Sequence, residues 1–245
     1  MCALTEQVVF TEPYIDSNNN RWTTPQLDED KLAIENDIEL KTAAARLKQK
    51  FVTETQALIH ADLHTGTVMC APQPGQTFII DPEFAFYGPM SFDTGALVAN
   101  LFLAYVSQDG HDNEASYAEW ILEQIKVFWD TFTKEFSLLW DDPTEHTGTW
   151  YEPKKFESDA DMRHTQIDFL CYILGETLSF ASMKMLRHIV GIAHVEDLDS
   201  IEDPDVRAKC ECHGLNIVKE FIKKVLFMSR EEAIQMARLQ KPADK

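Results

Sequence analysis

The chain has 245 residues, 22 Lys and Arg against 41 Asp and Glu for a formal net charge of −19, and 44% hydrophobic residues. This apolar content suffices for a packed core and argues against disorder, while the charge should repel nucleic acid and anionic membrane surfaces. The excess is uneven: residues 209–245 carry eight basic and five acidic side chains, whereas between Lys50 and Lys126 there are ten carboxylates and no Lys or Arg. An anionic small molecule is still an admissible ligand there, because a bound cation reverses the local field. The five cysteines, Cys2, Cys70, Cys171, Cys210 and Cys212, are odd in number and irregularly spaced, which fits a reducing compartment better than a disulfide scaffold. The longest nearly apolar run, Ala96 to Val106, is interrupted by Asn100 and is too short to span a bilayer. A soluble cytoplasmic protein is the expectation.

In chain order, Gln7-Val8-Val9-Phe10 predicts a short extended segment, and Pro13 with Ser17-Asn18-Asn19-Asn20 marks a loop. A helical pattern runs from about Leu27 to Thr53. Ala57-Leu58-Ile59-His60 and Thr77-Phe78-Ile79-Ile80 predict two strands joined across the turn Gln73-Pro74-Gly75-Gln76, as a small hairpin-like unit. Beyond it the pattern is helical: 94–107 with Asp93 as a candidate cap, 116–139, 166–190, 205–228 behind Pro204, and 231–239, with an irregular acidic stretch over 140–161. The fold class is therefore α+β and mostly helical. Cys210-Glu211-Cys212-His213 suggests a metal half-site, but no second cysteine pair at zinc spacing accompanies it.

The chemistry concentrates in His60-Ala61-Asp62-Leu63-His64-Thr65-Gly66-Thr67 and, 19 residues after Asp62, in Asp81-Pro82-Glu83. Taken singly each has a plain structural explanation: a strand-capping Asp, a turn before Pro, hydrogen-bonded core histidines. Together they set three carboxylates at the ends of two predicted strands with no Lys or Arg nearby in sequence. If the strands pair, the three converge, and hard divalent cations with oxygen ligands are the natural compensation. That fits phosphoryl transfer, in which one carboxylate takes the proton of the attacking hydroxyl and the others hold the metal on the nucleotide phosphates.

His-x-Asp-Leu-His resembles the catalytic loop of the aminoglycoside-phosphotransferase and choline-kinase branch of the protein-kinase-like superfamily. The longer strings Leu58–Thr67 and Ile80–Gly95, with Asn20–Pro25 and Arg187–Val195, resemble the methylthioribose kinase family, over most of residues 5–230. The resemblance implies an alcohol-group phosphotransferase of L-methionine salvage, moving the γ-phosphoryl of ATP, with Mg2+, to the 1-hydroxyl of 5-methylthioribose. It implies Asp62 as the catalytic aspartate facing that hydroxyl, Asp81 and Glu83 as metal ligands, and His60, Thr67, Asp81 and Glu83 on the cofactor side. Arg187 and His188 then stand with Asp62 on the substrate side. Tyr87-Gly88-Pro89 would wall the cleft, and Asp93 would organise the catalytic loop, cap a helix, or do both.

Two positions depart from the family pattern, Ala61 replacing Gly and His188 replacing the second of two Arg, while Thr67 is similar to the family's small hydroxyl residue, typically Ser, where the wider superfamily usually has Asn. Ala61 is strained if its φ is positive. Residues 1–65 contain no Gly, so neither a Gly-rich phosphate loop nor its partner lysine can be placed. The expected organisation is thus a protein-kinase-like C-terminal lobe over residues 1–245, with a short β-hairpin carrying the catalytic and metal-binding loops and the N-terminal nucleotide-binding lobe absent. Such a chain should turn over little or nothing alone, and the expected partners are a second copy in a homodimer or the missing N-terminal lobe. The alternatives are a kinase for another small alcohol, amine or sugar, and a catalytically inactive kinase-like partner protein.

Overall fold

The computed structural model describes residues 2–72, 75–142, 158–224 and 228–241. Helices dominate: α1 (Cys2–Phe10), α2 (Asp28–Asn36), α3 (Ile38–Thr53), α4 (Met90–Ser107), α5 (Ala115–Asp141), α6 (Asp159–Val190), α7 (Glu196–Asp199), α8 (Pro204–Lys224) and α9 (Arg230–Leu239). Residues 7–10, expected to be extended, lie in α1 instead. Val8, Val9 and Phe10 are all buried there, and Phe10 packs on Phe51 and Phe180 at centroid distances of 5.4 and 6.0 Å. Burial against neighbouring helices overrides the weak β preference of the two valines. The single helix expected over 27–53 is broken at Asp37, whose extended backbone and side chain cap α3 through the Leu40 N–H at 2.9 Å.

The centre of the molecule is the packing of α4 on α6. A Cβ on Gly95 would lie 2.8 Å from both Phe180 Cβ and the Thr177 carbonyl oxygen, so only glycine permits this approach. The Thr94 and Thr177 hydroxyls meet at 2.6 Å, and Ser91 donates to Glu176 at 3.1 Å. Phe92 sits in the same layer, 4.8 Å from Phe51 and 5.5 Å from Phe180. Both α4 and α6 belong to segments long and apolar enough to cross a membrane, and both are largely buried against the rest of the chain.

The strands β1 (Ala57–Ile59), β2 (Val68–Cys70), β3 (Thr77–Ile79) and β4 (Phe86–Gly88) form two antiparallel pairs, β1 with β4 and β2 with β3. The expected pairing of 57–60 with 77–80 therefore does not occur. The segment between them spends residues 60–67 on a loop and a 3₁₀ turn, and β2 then reaches β3 across a much shorter connection, which costs less loop entropy. Ile59 faces Phe86 and Met69 faces Phe78. Residues 143–157, most of the predicted irregular acidic stretch, lie outside the described residues, as do Gln73 and Pro74 of the predicted turn.

All five cysteines are free. Cys210 points to the Ser107 carbonyl at 4.0 Å, Cys212 to Asp30 at 3.7 Å, and His213 engages the Ala237 carbonyl at 2.8 Å. Burial pushes the two thiols up to about 12 and about 11. Their divergent partners speak against a metal half-site.

Candidate active site

β1 delivers the chain to His60, and the loop that follows is pinned by α4. The Asp93 carboxylate accepts the His60 N–H at 2.6 Å and the Ala61 N–H at 2.8 Å. The α4 N-cap is Pro89, so of the two roles weighed for Asp93 the structure shows the loop organiser. Burial raises the Asp93 pKa, opposed by these two bonds and, more weakly, by His60 and Lys184. The clamp forces a left-handed backbone on a buried alanine: Ala61 has φ +68°, a conformation that costs an L-residue about 1–2 kcal/mol.

His60 ties this loop to the next one. Its Nε2 lies 2.8 Å from the Ile80 carbonyl and its Nδ1 accepts the Asp62 N–H at 3.3 Å, which sets the neutral tautomer protonated at Nε2. Thr67 is buried, its hydroxyl donating to the His64 carbonyl at 2.9 Å and accepting the His64 N–H at 3.1 Å. Asn100, the polar interruption of the apolar run on α4, accepts from the Thr65 N–H at 3.3 Å and from its hydroxyl at 3.1 Å.

The opposite wall is the C-terminal end of α6. Lys184, Arg187 and His188 share one helix face by their spacing, and with Asp62, Asn100 and His194 they line a cavity of about 320 Å³. Lys184 Nζ lies 3.4 Å from Asp62 Oδ1. Arg187 Nε, His188 Nδ1 and His194 Nε2 are buried without a protein partner. Burial holds the His188 pKa well below the ordinary imidazole value, and Arg187 and Lys184 push it further down, so His188 is neutral at pH 7. The Arg21 N–H and guanidinium bond the Gly191 and Ile192 carbonyls at 3.3 and 3.2 Å, bracing the turn after α6 with the segment Asn20–Pro25.

Asp81 and Glu83 present a different surface. Both are exposed, Asp81 has φ +66°, and among the described residues no Lys or Arg pairs with either. No group of three His, Cys, Asp or Glu side chains is gathered for a metal among the described residues. Two uncompensated carboxylates with hard oxygen donors nonetheless suit Mg2+, which typically takes one or two carboxylates and completes its shell with water and phosphate oxygens.

The structure thus brings Asp62, Arg187 and His188 to one cavity and links Asp62 to the Asp81 strand end through His60. Lys184 is not among the residues expected from the sequence, and His194 enters there only within the string Arg187–Val195. The signal for Lys184 was its position three residues before Arg187. Asn100 was visible only as an oddity in an apolar run.

A mostly helical domain, with small antiparallel strand pairs and a loop clamped by Asp93 beside an exposed Asp-Pro-Glu turn, is consistent with the helical lobe of a phosphotransferase. Residues 1–124 match the phosphotransferase enzyme family, and the chain belongs to it. It is 47% identical over 227 residues to methylthioribose kinase 1 of Oryza sativa subsp. japonica, covering 91% of this chain and 52% of that protein. It is 45% identical over 239 residues to methylthioribose kinase 2 of the same plant, covering 96% and 56%, and 40% identical over 244 residues to the methylthioribose kinase of Escherichia coli O45:K1, covering 98% and 58%. The chain spans about half the length of the curated relatives it matches.

Proposed function

We propose that this chain supplies the substrate and catalytic lobe of an ATP-dependent kinase that phosphorylates the 1-hydroxyl of 5-methylthioribose in methionine salvage. The observation that carries the reading is the cavity where Asp62 faces Arg187 and His188, in a chain 47% identical to a methylthioribose kinase. Asp62 accepts the proton of the sugar hydroxyl as its oxygen bonds the γ-phosphorus and the bond to ADP breaks. Arg187 offers a fixed positive charge and an unpartnered Nε to the sugar, and neutral His188 offers a hydrogen bond without charge. His60 and Thr67 shape the cofactor side through the loops they brace. Asp81 and Glu83 would hold Mg2+, which when bound offsets the charge on the phosphate oxygens.

In this reading the groups that clamp the nucleotide are not among these 245 residues, which contribute the exposed Asp81 and Glu83 to the cofactor side. Two measurements on the full chain test it. Calorimetry should show 5-methylthioribose binding that Arg187→Gln weakens about tenfold or more, the loss of one charge-assisted hydrogen bond. Stronger binding of choline or another sugar overturns the substrate assignment. A coupled ADP-release assay with Mg2+ and ATP should show slow turnover that Asp62→Asn abolishes. Sugar binding with metal-dependent nucleotide binding but no turnover at all would favour the kinase-like binding protein instead.

A further inference from the structure

Lys184 has no part in the sequence-derived site, yet it is the basic group in contact with Asp62. It projects from α6 inward rather than to solvent: its side chain is only 3% exposed, with Nζ 3.4 Å from Asp62 Oδ1 and 4.7 Å from the centroid of Phe92. Surface lysines bury the stem and keep the ammonium wet; here the ammonium itself is buried. The charged groups around it are Asp62 on the catalytic loop, Asp93 on α4 and Arg187 on its own helix. We propose that Lys184 is the positioning residue for Asp62, holding Oδ1 from the helical wall so that Oδ2 is the oxygen presented to the acceptor hydroxyl. The proposal rests on the reading of Asp62 as proton acceptor.

The arrangement is maintained against a cost. Burial and the neighbouring Arg187 lower the Lys184 pKa to about 8, with Asp62 opposing the shift. A folded-state pKa below the unfolded one means that the protonated amine weighs against folding at pH 7, a weight that lifts as pH rises through about 8 towards 10.5. A lysine present for stability would show the opposite sign. Perturbed cations retained at a reactive carboxylate are a mark of functional sites, and Phe92, packed between α3 and α6, fixes where the ammonium can sit.

The test uses the full chain labelled with 13Cε-lysine, with Lys184→Met, Lys184→Arg and Asp62→Asn. The resonance missing from Lys184→Met should titrate near pH 8 and move lower in Asp62→Asn. Lys184→Met should keep or raise the Tm, while kcat falls about 100-fold, as expected for a misplaced reacting group, with KM for 5-methylthioribose nearly unchanged. Activity of the unsubstituted chain should fall above about pH 8, and Lys184→Arg should recover part of kcat and remove that fall. A Lys184 that titrates as an exposed lysine, or ignores Asp62→Asn, overturns the proposal, as does an unchanged kcat in Lys184→Met. If the unsubstituted chain shows no turnover while the Lys184 titration responds to Asp62→Asn, the reaction proposed above fails and the Lys184–Asp62 pairing stands.

Discussion

The two sides of the candidate cleft are built on opposite principles. On the helical side the charges that hold the loop are answered by neighbouring residues: Asp93 holds two backbone amides, Lys184 meets Asp62, and Phe92 lies beneath the ammonium, while Arg187 Nε is buried without a protein partner. On the strand side Asp81 and Glu83 are exposed, and so are Leu58, Phe78, Ile79 and Tyr87. The difference separates what one chain finishes by itself from what it offers to others. Preorganised polar groups in a buried wall hold their geometry before any ligand arrives, whereas the carboxylates and apolar strand faces opposite are left exposed by the described residues.

The sharpest way to break this contrast is to cut the connection between the helical side and the loop after β1. Asp93→Ala removes an acceptor from two backbone N–H groups at 2.6 and 2.8 Å. Hydrogen bonds to a charged acceptor contribute about 1.5–3 kcal/mol each, so a loss of about 3 kcal/mol is expected in urea denaturation, with sugar binding lost alongside. A loss below about 1 kcal/mol would mean that the loop is held by something other than α4.

A smaller effect tests the strain that the clamp imposes. Ala61→Gly at φ +68° relieves a left-handed alanine at about 1–2 kcal/mol and gives back about 0.5–1 kcal/mol in unfolded-chain entropy. A net gain of about 0.5–1 kcal/mol in the same denaturation series is expected. If the glycine variant is less stable, the loop is not strained at this position.

The helical half was legible in the sequence because its signals are periodic. The helices beginning near 116, 205 and 231 appear within a few residues of their expected limits, and Asp62, Arg187 and His188 line one cavity. The strand half was less legible. Three-residue strands leave almost no alternation to read, so β2 and β4 were missed and the partners of β1 and β3 misassigned. Lys184 was overlooked for another reason: a lysine in a helical stretch reads as a solvent-facing charge, whereas the fold buries it beside Phe92 of α4 and Asp62 of the loop after β1.

The smallest expected effect sharpens the comparison from the strand side. Phe78 and Ile79 are each 60% exposed, whereas Phe180 and Ile189 on α6 are fully buried. Replacing the strand pair, as Phe78→Ser with Ile79→Thr, removes apolar surface that the chain itself does not cover. Its stability should change by no more than about 0.5 kcal/mol, while concentration-dependent self-association, read by light scattering, should fall. The proposed sugar binding should persist, since the cavity is lined from the loop after β1, α4, α6 and the turn beyond it. By contrast, Phe180→Ala alone should cost about 3–5 kcal/mol. If the strand pair costs more than about 1 kcal/mol, or abolishes sugar binding, the strand side is part of the self-sufficient core and the division drawn between the two walls does not hold.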